Sequence, residues 1–239
     1  MNYTYADIAK MIDHSLLNPT MTQQQLEDGL AVAVAYDTAT VCILPYYLAR
    51  AADRLASSTV LPSTTIGFPH GAHTTAVKVA EAQRALADGG VELDMVCNIS
   101  KALSGDWSYV RDDIQAVIDV THAAGRKVKV IFENCYLKDE HKIRLCEICG
   151  ELDADWVKTS TGFGTAGATG EDLALMRKHS PKRVQVKAAG GVRTLDRALE
   201  VRALGCTRFG ATATKAILDE LCVRLGLPPR STPTTGSTL

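Results

Sequence analysis

The sequence predicts a single (β/α)₈ barrel of parallel strands. Short apolar runs alternate with longer segments of helical period, eight such pairs follow one another, and no linker-like stretch divides them. Strands that alternate with helices form a parallel sheet covered by helices, and 239 residues is a fitting length for one closed barrel.

The strands are expected, in order, near 13–17 (DHSLL), 39–44 (ATVCIL), 63–68 (STTIGF), 92–97 (ELDMVC), 127–133 (KVKVIFE), 155–160 (DWVKTS), 184–189 (VQVKAA) and 207–211 (TRFGA). Helical period fills the gaps. From Val77 to Ala87, the residues Val79, Ala82 and Leu86 share an apolar face, and Asp112–Ala123 and Leu195–Leu204 behave alike. The barrel is expected to occupy residues 1–226. The remainder, 227–239 (LPPRSTPTTGSTL), is rich in Pro, Ser and Thr and is expected to be a flexible tail.

Composition narrows the function classes. Hydrophobic residues make up 46% and charged residues 22%, as in ordinary globular proteins. The 26 basic and 27 acidic side chains leave a net charge of −1, so no global field attracts nucleic acid or an anionic membrane. Any anion must be bound locally. No apolar run is long enough to span a bilayer. The seven cysteines, an odd number, lie scattered in apolar segments behind an opening (MNYTYADIAK) without leader character, which predicts a cytoplasmic protein with free thiols.

Two consecutive units repeat one pattern. DWVKTSTGFG and VQVKAAGGVR each run from apolar residues through a lysine to small residues and glycine. At the carboxyl end of barrel strands such residues face the site, which places Lys158 and Lys187 side by side. A buried lysine is commonly structural, paired with a carboxylate, and the pattern alone leaves that reading open beside the catalytic one. The catalytic reading has a physical basis. A second ammonium at about 4 Å, with an effective dielectric near 20, interacts by about 4 kcal/mol, or roughly three pKa units. That brings one amine toward the neutral form that attacks a carbonyl, and the resulting iminium is an electron sink for cleaving a C–C bond.

Asp94, inside the apolar run VELDMVCN, is either the counter-ion of a lysine or a general acid/base, and the two roles are compatible. Gly190, Gly191 and Gly210 follow the last two strands, where free amides and helix N-termini suit a phosphate.

Other motifs favour plain readings. Cys146 and Cys149 form C-x-x-C without a second pair at zinc spacing. His70 and His73 lack a third ligand, so no metal is expected. His14 reads as a satisfied polar residue near the pocket, and the charges of HAAGRKVK (122–129) read as solvated. GFGTAG lacks the register of a dinucleotide fingerprint.

Taken together, IDHSLL, GFPHG, ELDMV, SGDW, VKTSTGF and KAAGGVRT, in this order between about Ile12 and Ala216, resemble the deoxyribose-phosphate aldolase family. The resemblance implies a class I aldolase, without metal or other cofactor, that reversibly cleaves 2-deoxy-D-ribose 5-phosphate to glyceraldehyde 3-phosphate and acetaldehyde. It implies that Lys158 forms the Schiff base, that Lys187 tunes it and that Asp94 shuttles protons. Asp13, Cys42 and Thr161 would border the substrate. Gly162, Gly190, Gly191, Val192, Arg193, Gly210 and Thr212 would hold the phosphate. The implied partners are small phosphorylated sugars and aldehydes and further copies of the chain, as a dimer or tetramer. The chain departs from the family at GATAT, where Ala213 stands in place of a second serine, at His70 in place of Leu and at Asn134 in place of Thr. Another class I aldolase of the same barrel type, with a different aldehyde pair, stays open, and the residues themselves leave two other classes in play: a phosphate-binding isomerase using Asp94 as base, and a non-catalytic carbohydrate binder. Neither forms an imine that borohydride could trap.

Overall fold

Eight strands form, each overlapping its predicted run: β1 (Ile12–Leu16), β2 (Thr40–Ile43), β3 (Leu61–Ile66), β4 (Glu92–Val96), β5 (Lys127–Ile131), β6 (Trp156–Lys158), β7 (Gln185–Ala188) and β8 (Arg208–Ala211). They lie in chain order in one closed parallel barrel, with Ile12 of β1 opposite Phe209 of β8 at the closure. The computed structural model describes residues 3–231.

Helices cover the outside: α1 (Tyr5–Ala9), α2 (Gln23–Ala35), α3 (Leu48–Leu55), α4 (Thr75–Ala87), α5 (Ile99–Leu103), α6 (Trp107–Ala123), α7 (Asp139–Glu151), α8 (Gly170–His179), α9 (Leu195–Ala203) and α10 (Thr214–Leu225). Local sequence sets their starts. Thr22 and Gln25 make a reciprocal capping box at α2, and the Thr169 and Thr194 hydroxyls accept N–H groups in the first turns of α8 and α9. None of these helices, among the described residues, is long and apolar enough to cross a membrane.

Strand alternation sorts the side chains by chemistry. Val41, Leu93, Met95, Val130, Val157, Val186 and Phe209, all fully buried, take the outward positions beneath the helices. Each such side chain stabilises the fold by about 1.5–3 kcal/mol relative to exposure. The inward positions, read from the register, carry Asp13, Cys42, Ser63, Asp94, Lys129, Lys158 and Lys187. A barrel interior is ordinarily filled with branched aliphatics; here it is polar and charged. Lys78 of α4, buried against Asp113 of α6 at 2.5 Å, also donates to the Val96 carbonyl at 2.9 Å and so anchors the end of β4.

Of the predicted tail, residues 227–231 are described. The Arg230 guanidinium lies 4.6 Å from the centre of the Tyr5 ring, and the Tyr36 hydroxyl donates to the Arg230 carbonyl at 3.5 Å. Residues 232–239 lie outside the described residues.

Candidate active site

Lys158 ends β6 and Lys187 stands beside it on β7, their Cα positions paired in register. Both amines donate to one oxygen of Asp94, Oδ2, each at 2.7 Å. The other Asp94 oxygen accepts from Lys129 of β5 at 2.8 Å. Below them Lys187 also donates to Asp13, and Lys129 reaches Glu92 at 2.6 Å. Arg208 joins Asp13 at 2.6 Å and Glu92 at 2.8 and 2.9 Å. Its guanidinium, and the Lys129 amine, lie over the Trp156 ring at 5.0 and 5.5 Å.

This ledger of charge has a consequence. Three carboxylates (Asp13, Glu92, Asp94) face four cations (Lys129, Lys158, Lys187, Arg208), so the fully ionised cluster carries one positive charge too many in a buried volume. Among the described residues, Lys158 has Asp94 as its only ion-pair partner, whereas the other three cations each have at least two acids. It is the cation that most readily gives up its proton.

The individual groups agree. Burial pushes the Lys158 pKa down, Asp94 pulls it up and Lys187 pushes it down again, leaving it below the ordinary lysine value. Burial also depresses Lys187, but Asp13 and Asp94 outweigh it and hold that pKa above the ordinary value. For Lys129, Asp94, Asp13 and Glu92 likewise overcome burial and raise the pKa. Burial would raise the Asp94 pKa, yet Lys129, Lys158 and Lys187 hold it well below the usual carboxylate range. Repulsion from Lys187 acts in the expected direction on Lys158 but is not the only cause. Desolvation is the largest cause, and the shared Asp94 oxygen offsets part of the repulsion.

Above the cluster opens a cavity of about 490 Å³ with Lys158 and Thr161 in its wall. The phosphate set predicted from the sequence, Gly162, Gly190, Gly191, Val192, Arg193, Gly210 and Thr212, lines the same cavity. The main-chain N–H groups of Gly190 through Arg193 meet no acceptor among the described residues, and Arg193 is exposed with no ion pair there. Gly190 has a φ of +78°, and a Cβ on it would sit 2.8 Å from the Gly167 Cα, so only glycine serves at that place. The helices α9 and α10 start just beyond these loops. Free amides and an exposed guanidinium suit an anion there.

Asp94, Lys187, Asp13 and Cys42 do not line the cavity; they are buried behind Lys158. Asp13 has both oxygens engaged by Lys187 and Arg208. The Cys42 thiol is held protonated by burial and by the Asp94 charge, opposed by the lysines. The Thr161 hydroxyl donates to Glu133 and accepts from the Phe163 N–H at 3.0 Å.

One sequence reading needs correction. Lys129 is fully buried and ion-paired, so the charges of 122–129 are not all solvated; Arg126 and Lys127 are exposed. His14 faces the helical layer, with Nδ1 2.8 Å from the Thr214 hydroxyl, and burial lowers its pKa to about 4. His70 and His73 are exposed, and no three candidate ligands cluster among the described residues. Sequence reasoning missed Glu92, Lys129, Arg208, Glu133 and the wall residues Ser15 and Asn18. Period-two spacing could have found the first two, since Glu92 precedes Asp94 by two and Lys129 lies within an apolar strand.

Comparisons with known proteins agree with this geometry. Residues 8–219 match the DeoC/LacD family of aldolases. The chain is 62% identical to the deoxyribose-phosphate aldolase of Rhodopirellula baltica, over 99% of this chain and 98% of that one. It is 47% identical to the enzyme of that name from Thermococcus gammatolerans, over 89% and 96% of the two chains. The solved structure of deoxyribose phosphate aldolase from Aeropyrum pernix, described as tetrameric, superposes with a TM-score of 0.85 at 27% identity, covering 91% of this chain and 92% of that one. With a family model matched over most of its length and relatives of this identity, the chain belongs to the DeoC/LacD family of aldolases.

Proposed function

We propose that Lys158 is the Schiff-base nucleophile of a class I aldolase that reversibly cleaves 2-deoxy-D-ribose 5-phosphate to glyceraldehyde 3-phosphate and acetaldehyde. The observation that carries this reading is the place of Lys158, buried against Asp94 in the wall of a cavity that the free amides of Gly190 to Arg193 also line; burial holds its pKa below the ordinary lysine value. The neutral amine attacks C1 of the open-chain sugar, and loss of water gives the iminium. Removal of the C3 hydroxyl proton breaks the C2–C3 bond, and its electrons pass into the iminium to give an enamine. Protonation at C2 and hydrolysis release acetaldehyde. Asp94 is the acid within reach of Lys158, and its bond to Lys187 allows proton exchange without a free charge in the barrel. Lys187 remains an ammonium and supplies the field. Asp13 acts through Lys187. The cradle from Gly190 to Arg193, with Gly162, Gly210 and Thr212, takes the phosphate.

The isomerase and sugar-binder alternatives give no account of a desolvated amine that has one acid partner among the described residues. Turnover of deoxyribose 5-phosphate is measured beside unphosphorylated deoxyribose, with chelator present throughout. The phosphorylated sugar is preferred and exhaustive chelation leaves the rate unchanged, because the iminium is the electron sink. Loss of turnover with EDTA and its return with zinc would falsify the class I assignment.

Ala213 is the N-cap of α10, and no side chain caps that helix. Ala213→Ser supplies a hydroxyl that stabilises the fold by about 1 kcal/mol, or about 2–4 °C in Tm. It also places a donor beside Thr212, so KM for the phosphorylated substrate falls. A higher Tm with unchanged KM means the hydroxyl caps the helix and does not touch the phosphate.

The same reading carries a cytoplasmic location and assembly into a dimer or tetramer of identical chains, which light scattering on the purified protein decides.

A further inference from the structure

Glu133 lies just beyond β5, is only 2% exposed, and holds a left-handed backbone at φ 60° and ψ 62°. That conformation is uncommon for a residue other than glycine and persists only where its surroundings over-determine it. No lysine, arginine or histidine pairs with this carboxylate among the described residues. Its partners belong instead to the loop after Lys158. Glu133 Oε1 accepts the Thr161 N–H at 3.1 Å, and Oε2 accepts the Thr161 hydroxyl. Gly164 packs on the same group, since a Cβ there would sit 3.0 Å from the Glu133 Cδ.

These bonds decide which amide of the loop is free. The Thr161 N–H is committed to Glu133. The Phe163 N–H is committed to the Thr161 hydroxyl at 3.0 Å, and that hydroxyl is oriented as an acceptor because its own proton goes to Glu133. The Gly162 N–H, between them, meets no acceptor among the described residues and lies in the cavity wall.

We propose that Glu133 is a positioning residue for phosphate selectivity: by holding Thr161 at both donors it presents the Gly162 N–H to the substrate phosphate. The inference rests on the phosphate reading given above. Glutamine at this place still accepts one bond, but its amide donates to the Thr161 oxygen and turns the hydroxyl proton away, which loosens the loop. Aspartate tolerates the left-handed backbone and keeps the charge, yet is one methylene too short to reach Thr161.

The test measures kcat and KM for deoxyribose 5-phosphate and for deoxyribose with the full-length wild type, Glu133→Gln, Glu133→Asp and Thr161→Val. In the two Glu133 variants KM for the phosphorylated sugar rises about tenfold, the scale of one misplaced hydrogen bond, while kcat and the kinetics on deoxyribose stay unchanged; in Thr161→Val the ratio of kcat/KM for the phosphorylated over the unphosphorylated sugar falls by the same factor. Should Glu133→Gln fail to fold, Thr161→Val decides from the other end of the same bonds. Equal loss of kcat on both sugars, or a lowered Tm with intact preference for phosphate, overturns the proposal. A wild type that does not prefer the phosphorylated sugar overturns the underlying phosphate reading instead, whatever the variants do.

Discussion

Borohydride added with acetaldehyde attaches an ethyl group to the peptide carrying Lys158 and none to the peptide carrying Lys187. Lys158→Ala loses both the adduct and turnover, by at least about 10⁴-fold, the scale of removing an enzyme's nucleophile. The asymmetry follows from charge. Lys187 is tied to two acids, Asp13 and Asp94, and stays protonated, whereas Lys158 has Asp94 as its one acid and is desolvated at the cavity wall. Peptide mapping of the reduced protein reads the site directly. An adduct on Lys187, or turnover that persists in Lys158→Ala, removes Lys158 from its role.

The second large effect separates the two neighbours of Lys158 by the sign of their influence. Lys187 lowers the Lys158 pKa and Asp94 raises it. Removing the like charge in Lys187→Met therefore moves that pKa upward, so a smaller fraction of Lys158 is neutral near pH 7. Imine trapping persists but its pH midpoint moves to the alkaline side, and kcat/KM at neutrality falls by roughly 10- to 1000-fold. Asp94→Asn moves the midpoint in the opposite direction. It keeps the imine while slowing proton exchange at the acetaldehyde methyl carbon, because the shuttle is gone. It also leaves Lys129, Lys158 and Lys187 without their shared acid, and breaking a buried pair in this way costs about 3–5 kcal/mol. Trapping followed from pH 6 to 10, with thermal melts of each variant, checks both halves. Midpoints that move in the same direction, or wild-type activity of Lys187→Met at pH 7, contradict the assignment of roles.

Much of this was legible in the chain. Each strand could be placed because apolar runs such as ATVCIL and VQVKAA are bounded by turns and separated by helical period, signals that survive without tertiary context. Lys158, Lys187 and Asp94 stood out because a charge inside an apolar strand is costly unless it is paired or used. Lys129 was misread for the opposite reason: it lies two residues after exposed Lys127 and three after exposed Arg126, so its burial was masked by a charged neighbourhood. Glu92 was overlooked beside Asp94, although alternation turns both to the same side. Glu133, at the start of a loop, carried no pattern at all, since its meaning lies in Thr161, 28 residues onward.

The sequence by itself determined the strands, their parallel order and the inward placing of Lys158 and Lys187, because these follow from a period of two or of 3.6 along a continuous segment. Only the tertiary structure shows the physical difference between the two lysines on which our proposal of Lys158 as the nucleophile rests. That difference depends on how many acids each amine meets, and the acids come from far along the chain: Asp94 lies 64 residues before Lys158, Asp13 174 before Lys187 and 195 before Arg208. Electrostatic energy is summed through space, across strands that meet only when the barrel closes, and no local pattern records that sum.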